Sequence, residues 1–268
     1  DRAPLVNIHT SYPLELLCMD FLTLEPSKGN ISNILVITDH YTKFAKAIPT
    51  RNQTAKITAD ALYNEFIVHF GSPTRLHSDQ GANFEITAEL CKLLNIKKSH
   101  TTPYHPQGNA GPERFNRTLI GMLGTLEEDQ KRDWKKYINP LVYAYNCTPH
   151  EATRVSPYEL LFGRKPNLPI DAMFEKAKEE IANKSAQEYI EDLQERMAKT
   201  HEIIQKYTDK SKSKQKDYYD KKAKAVKIST GDRVLVKKLA FEGKHKLADK
   251  YEPGTYMVID QPRPDIPV

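Results

Sequence analysis

The chain has 268 residues, enough to bury a full core with material to spare beyond one domain of ordinary size. Forty Lys and Arg against 35 Asp and Glu leave a net charge of +5, a mild excess that permits an anionic partner without requiring one. No apolar run approaches the roughly 18–20 residues of a membrane span, so no membrane partner is expected. There is no charged-then-apolar leader. The three cysteines, Cys18, Cys91 and Cys147, are odd in number and far apart, which argues against a disulfide framework. The first residue is Asp rather than Met, so a fragment or a processed product is expected.

In chain order, "LELLCMDFLTL" (14–24), "NILVITDHYT" (33–42) and "KFAKAIPT" (43–50) read as three strands of an antiparallel meander, the first two separated by the turn-like "EPSKGN". "TAKITADALYNEFIVHFG" (54–71) has helical periodicity and ends on Gly. A short strand "TRLHSD" (74–79), a helix "ITAELCKLLN" (86–95) and a strand "IKKSHTT" (96–102) come next. After the Gly- and Pro-rich loop of "TTPYHPQGNAGP", helices are expected over 113–130 and 133–148, with Pro140 kinking or splitting the second. From about 172 the chain is charged and helical in pattern. Residues 206–227 hold nine Lys against three Asp with tyrosines interleaved, either a solvated helix or an arm that contacts phosphates. Residues 228–268 return to short strands and turns, as in a small β-barrel.

Three carboxylates stand out. Asp20 lies inside the apolar run "LLCMDFLTL", where an ionised group is costly to bury without a partner. Asp79 directly follows a strand, and Glu113 opens a helix after an irregular loop. A lone Asp at a strand end is more often a turn or cap residue than a ligand. If the first and fourth strands are neighbours, however, Asp20 and Asp79 converge and the loop brings Glu113 over them. Such a trio of like charges needs a cation, and all-oxygen ligands favour a hard ion such as Mg²⁺, or Mn²⁺. Two such ions suit in-line phosphoryl transfer. No Ser-His-Asp or Cys-His arrangement competes, and there is no Walker-type loop.

"MDF", "HSDQGANF" and "TTPYHPQGN…ERFNRTL" resemble the D,D-E catalytic core of integrases from Gypsy-type LTR retrotransposons and retroviruses. "LVITDHYTKFAKAIPT" and "SPYELLFGRKPNLP" match flanking elements of the same family in the family's order. The resemblance covers residues 13–170 and implies an α/β, RNase H-like mixed five-stranded sheet flanked by helices. It also implies metal-dependent strand transfer, joining element ends to target double-stranded DNA, with Asp20, Asp79 and Glu113 as catalytic metal ligands. The divisions expected are an N-terminal flank (1–12), the core (13–171), a charged helical linker (172–227) and the barrel (228–268). In "YEPGTYMVI", Gly254 and Tyr256 take the positions of the family's GPY/F-type module, with Thr255 in place of Pro.

Other positions carry over from the family as DNA contacts. Asn83 in "QGANF" and Gln107 and Asn109 in the loop are read as near the DNA, or equally as turn residues. Arg117 shares a helix face with Glu113 and could reach a phosphate. Lys212, Lys214 and Lys216 in the basic run complete the candidate DNA contacts. The resemblance further implies a homo-oligomer acting in the nucleus, and a zinc-binding domain upstream of Asp1.

The chain departs from the pattern in two places. Residues 80–112 separate Asp79 from Glu113, two fewer than is usual in the family. Loss of two residues inside a helix would turn the remainder of that helix by about 200°, so the Leu90, Leu93, Leu94 periodicity points to a shorter loop before it. "AGP" precedes Glu113, with Pro112 expected at the first helical position and Gly111 as its cap. These departures leave two alternatives open, a catalytically inactive transposon-derived DNA-binding protein and a ribonuclease H.

Overall fold

The computed structural model describes residues 8–79, 81, 84, 86–100, 110–168, 185–222, 229–236 and 254–260. The chain divides into two compact units, Ile8–Lys210 and a second that begins at Ser211.

The first unit is built on a five-stranded sheet in the order β3-β2-β1-β4-β5. β1 (Leu16–Ser27), β2 (Ile31–Asp39) and β3 (Ala45–Thr50) form the expected antiparallel meander. The β1–β2 turn needs left-handed backbone, which Gly29 (φ +85°) and Asn30 (φ +56°) supply. β4 (Arg75–Ser78) then joins β1 in parallel, and β5 (Lys97–His100) joins β4 in parallel. Parallel neighbours require crossovers, and helices provide them. α1 (Ala55–Leu62), a π turn (Tyr63–Ile67) and α2 (Val68–Phe70) lead from β3 to β4, ending at Gly71 with φ +92°. α3 (Ile86–Leu93) leads from β4 to β5.

Strand alternation divides the apolar side chains between the two faces. Leu17, Met19, Leu35, Ile37 and Leu76 pack with Leu62, Phe66, Ile67, Phe84 and Cys91 on the face covered by α1 and α3. Ile34, Val36, Ala45 and Ala47 pack on the other face against Phe115, Leu119 and Leu123 of α4 (Ala110–Gly124) and against Trp134, Ile138 and Val142. Each buried Leu, Ile or Phe contributes about 1.5–3 kcal/mol, so the paired cores hold α4 firmly over β1 and β2.

Several sequence expectations need correction. The helix expected over 113–130 ends at Gly124, and α5 (Glu128–Lys131) begins after a break. The next helix splits, at Tyr137 rather than at Pro140. A 3₁₀ turn (Trp134–Lys136) precedes α6 (Ile138–Cys147), in which Pro140 is the third residue and its missing N–H costs nothing. α4 starts at Ala110, earlier than expected. Pro112 is therefore its third residue rather than its first, and Gly111 lies inside the helix rather than capping it. A Cβ at Gly111 would stand 3.4 Å from Thr38 Oγ1, so the start of α4 lies close over β2. In α3 the inward residues are Thr87, Leu90, Cys91 and Leu94, whereas Leu93 is 84% exposed. The inward stripe is intact even though Leu93 is not part of it.

α7 (Pro157–Phe162) is capped by Ser156 Oγ, which accepts from the Glu159 amide at 3.2 Å, and closes on Gly163 in the left-handed region (φ +67°). α8 (Ala186–Lys222) is a 37-residue helix whose first part packs on this unit. A Cβ at Gly163 would come within 2.5 Å of Met197 Cγ and 2.8 Å of Leu193 Cδ1, so glycine forms the seat of α8. Ile204 is fully buried and His201 meets the Tyr41 ring edge-on at 5.4 Å. No described helix is long and apolar enough to cross a membrane.

In the second unit, β6 (Arg233–Val234) pairs antiparallel with β7 (Tyr256–Met257), extended by Gly231 N–H to Val258 O (2.8 Å) and Val258 N–H to Asp232 O (2.9 Å). Gly254 has φ +152°, a conformation suited to glycine. The remainder of the expected β-barrel falls on residues 237–253 and 261–268, outside those described.

Candidate functional site

The alternation that buries Leu17, Met19 and Phe21 on one face of β1 turns Asp20 to the other, toward α4. Asp20 pairs across the sheet with Val36, in the middle of the apolar core, and is half-buried. The β1–β4 register pairs Leu16, Leu17 and Cys18 with Arg75, Leu76 and His77. Extended by two residues, it brings Asp79, just past the end of β4, level with Asp20. The adjacency of the first and fourth strands, which the convergence of the two carboxylates required, is thus present.

Glu113 enters from above this pair. It lies in the first turn of α4 and is exposed. Burial first, and then the negative charges of Asp79 and Glu113, push the Asp20 carboxyl up to about 6. Opposing them are the Phe21 amide and Asn116, whose Nδ2 donates to Asp20 Oδ2 at 2.9 Å. Asp79 is exposed, and its Oδ1 accepts from the Gly81 amide at 3.0 Å. Asp20 thus feels both other acids. Even so, among the described residues no three His, Cys, Asp or Glu side chains are gathered tightly enough to hold a metal ion. Three like charges facing one another repel, and a hard divalent cation is the group that would relieve that repulsion. The all-oxygen donor set and the two exposed carboxylates fit such an ion.

Asn116 is the residue that sequence reasoning missed. A signal for it existed, because it stands three residues after Glu113 and so shares that side of the helix. Only the packing of Phe115 and Leu119 onto the sheet shows that Asn116 turns toward Asp20.

The other candidates fall in different places. Arg117 is exposed on α4, one turn after Glu113. Arg114 lies near Tyr145 and His150, where its charge helps lower the His150 imidazole to about 4 after the larger effect of burial. Asn83, Gln107 and Asn109 lie outside the described residues. Lys212, Lys214 and Lys216 belong to α8, in the second unit. At 100° per residue, Lys212 and Lys216 share a face while Lys214 points about 180° away from their midline, so the three do not form one stripe.

Residues 11–106 match the family described as Integrase core domain. The chain is 33% identical over 232 residues to the Retrovirus-related Pol polyprotein from transposon 412 of Drosophila melanogaster, covering 86% of this chain and 18% of that polyprotein. It is 26% identical over 261 residues to the Transposon Tf2-3 polyprotein of Schizosaccharomyces pombe, covering 94% of this chain and 19% of that polyprotein. The chain thus spans less than one fifth of the length of these relatives. Its fold is similar to a chain of the simian T-cell lymphotropic virus intasome in complex with the PP2A regulatory subunit B56 gamma. The TM-score is 0.51 at 18% identity, over 62% of this chain and 60% of that one.

Proposed function

Because the chain belongs to the retroviral-type integrase core family, we propose that it joins the DNA ends of a Gypsy-type retrotransposon to target DNA. Asp20, Asp79 and Glu113 are its metal-binding, catalytic residues. The observation that carries this reading is the Asp20 carboxyl, pushed up to about 6 on a central strand with Asp79 and Glu113 both bearing on it. A purely structural acid would be surrounded by donors, whereas Asp20 faces two further anions.

The residues divide the work. Asp20 is the half-buried member, fixed by strand pairing and oriented by Asn116. Asp79 is fixed at the end of a paired strand, and Glu113 is delivered by α4. Two Mg²⁺ or Mn²⁺ ions bound there would activate an attacking oxygen and stabilise the leaving oxygen of an in-line phosphoryl transfer. Water is the attacking species in trimming a 3′ end, and the new 3′-hydroxyl is the attacking species in joining. Asn83, Gln107, Asn109 and Arg117 hold the DNA end. Lys212, Lys214 and Lys216 add sequence-independent phosphate contacts whose strength falls with salt. Action on two DNA ends makes a homo-oligomer the working form.

The test is a strand-transfer assay on a duplex oligonucleotide end in Mg²⁺, run on the wild type and on Asp20→Asn, Asp79→Asn and Glu113→Gln. Joining by the wild type and its loss in all three variants is expected. Joining that survives in all three would sink the site assignment. DNA binding without Mg²⁺-dependent joining by the wild type would select a catalytically silent DNA-binding protein instead.

A further inference from the structure

A chain of hydrogen bonds runs from Asp79 to the far edge of the sheet. Asp79 Oδ1 accepts from the Gly81 amide at 3.0 Å. Gly81 O accepts from the Phe84 amide at 3.0 Å. Phe84 O in turn accepts from two side chains, the Thr87 hydroxyl of α3 and the Lys98 ammonium of β5. The Phe84 ring is buried and lies 5.8 Å from Phe21, the residue after Asp20. Phe84 is therefore linked to Asp79 through Gly81 and packs beside the strand that carries Asp20, and its carbonyl is held by a charge from a strand that contributes no acid to the site.

We propose that Lys98 is a positioning residue for Asp79, acting through Phe84 and Gly81. The assignment rests on the reading of Asp79 as a metal ligand. Hydrogen bonds from a charged donor are worth roughly twice neutral ones, and Lys98 reaches 14 residues back along the chain to make this one. Without it the Phe84 carbonyl keeps, among the described residues, the neutral Thr87 hydroxyl. The carboxylate at the other end of the relay then loses a fixed orientation. The carboxylate also lies close over Gly81, where a Cβ would stand 3.1 Å from Asp79 Oδ1. The Lys98 charge also reaches the buried Cys91 thiol, which burial raises and Lys98 partly lowers, so the ammonium is directed against α3.

The experiment compares the wild-type chain, Lys98→Met, Lys98→Gln and Lys98→Arg by two readouts. The first is amide hydrogen exchange at Gly81 and Phe84, which needs neither metal nor DNA. Exchange about tenfold faster in Lys98→Met and Lys98→Gln is expected, with β2 amides unchanged and Lys98→Arg near wild type. The second is the Mn²⁺ concentration giving half-maximal strand transfer, expected to rise about tenfold in the same two variants and to recover in Lys98→Arg, as for other residues that orient a metal ligand. Unchanged exchange at both amides overturns the tether. Faster exchange with an unshifted Mn²⁺ midpoint overturns the positioning role while leaving Asp79 as a ligand. A wild type that shows no response to Mn²⁺ overturns the metal-site reading itself, and the role of Lys98 with it.

Discussion

Two aspartates on neighbouring strands, Asp20 in β1 and Asp39 at the end of β2, are both held above the usual carboxylate range, and in both the leading cause is burial. Their surroundings differ in sign. Asp39 is fully buried and accepts from the Leu14 amide (3.1 Å), the Thr42 amide (2.8 Å) and the Thr42 hydroxyl (2.6 Å), with the Lys43 charge nearby. It closes the turn into β3 and ties down the chain before β1. Asp20 has Asn116 and one amide on its side, and two carboxylates against it. Burial by itself does not separate a structural acid from a working one; the charge of the neighbours does.

That contrast breaks first under substitution of the two acids. Asp20→Asn is expected to lower strand transfer by at least about 10³-fold, equivalent to about 4 kcal/mol of barrier, while leaving the denaturant midpoint unchanged or raised. Removing a charge repelled by Asp79 and Glu113 relieves the fold, as in other sites where function costs stability. Asp39→Asn should do the reverse. It places an amide among three donors, costs about 3 kcal/mol of stability through the buried donors left unpaired, and is read as a lower urea midpoint. Equal loss of stability in the two variants would erase the distinction. Asn116→Leu should act between these extremes, raising the half-saturating Mn²⁺ concentration about tenfold by removing the donor that orients Asp20. A midpoint within twofold of wild type would show that Asp20 needs no such partner.

The pH response sharpens the contrast further. The folded Asp20 titrates at about 6 against an ordinary 3.8, so between those values the folded protein holds more protons than the unfolded chain. Stability from this group is present below about pH 4 and is lost as pH rises through 6. A divalent ion competes for the same carboxylate, so Mn²⁺ should raise the melting temperature most at pH 7.5 and hardly at all at pH 5. A Mn²⁺ effect of equal size at both values would exclude Asp20 as a ligand.

Much of this was readable from local pattern. Alternating apolar residues delimited β1 and β2, an acid inside the first marked Asp20, and a strand-terminal acid marked Asp79. What pattern could not supply were contacts decided by packing. Asn116 acquires its role because Phe115 and Leu119 roll α4 onto β1 and β2. Lys98 acquires its role because β5 lies beside β4 and faces a carbonyl 14 residues earlier. Leu93 fits the apolar periodicity of α3 and yet is exposed, because Leu90, Cys91 and Leu94 already fill the inward stripe. Pro112 moved from first to third helical residue because the first four amides of a helix all lack partners, so sequence alone does not choose among those positions.

The smallest expected effect lies where α8 meets the core, far along the chain from the three acids. His201 is held below its usual range by burial, opposed by a hydrogen bond between its ring and the Leu160 backbone. Its Nε2 is buried and has no hydrogen-bond partner among the described residues, and its ring meets Tyr41 edge-on. A second proton would therefore create a buried N–H with no acceptor. The folded state binds fewer protons here than the unfolded one. The docking of α8 on the Tyr41 turn and α7 is then fully present above about pH 6.5 and weakens as pH falls below it. The group is only partly shielded, so the effect is small, no more than about a threefold change. Limited proteolysis of residues 186–210 should be up to threefold faster at pH 5.5 than at pH 8 in the wild type. In His201→Phe, which keeps the ring contact and removes the titration, the two rates should be equal. A pH dependence that persists in His201→Phe would place the switch on another group, His150 being the next to test because burial lowers it to about 4.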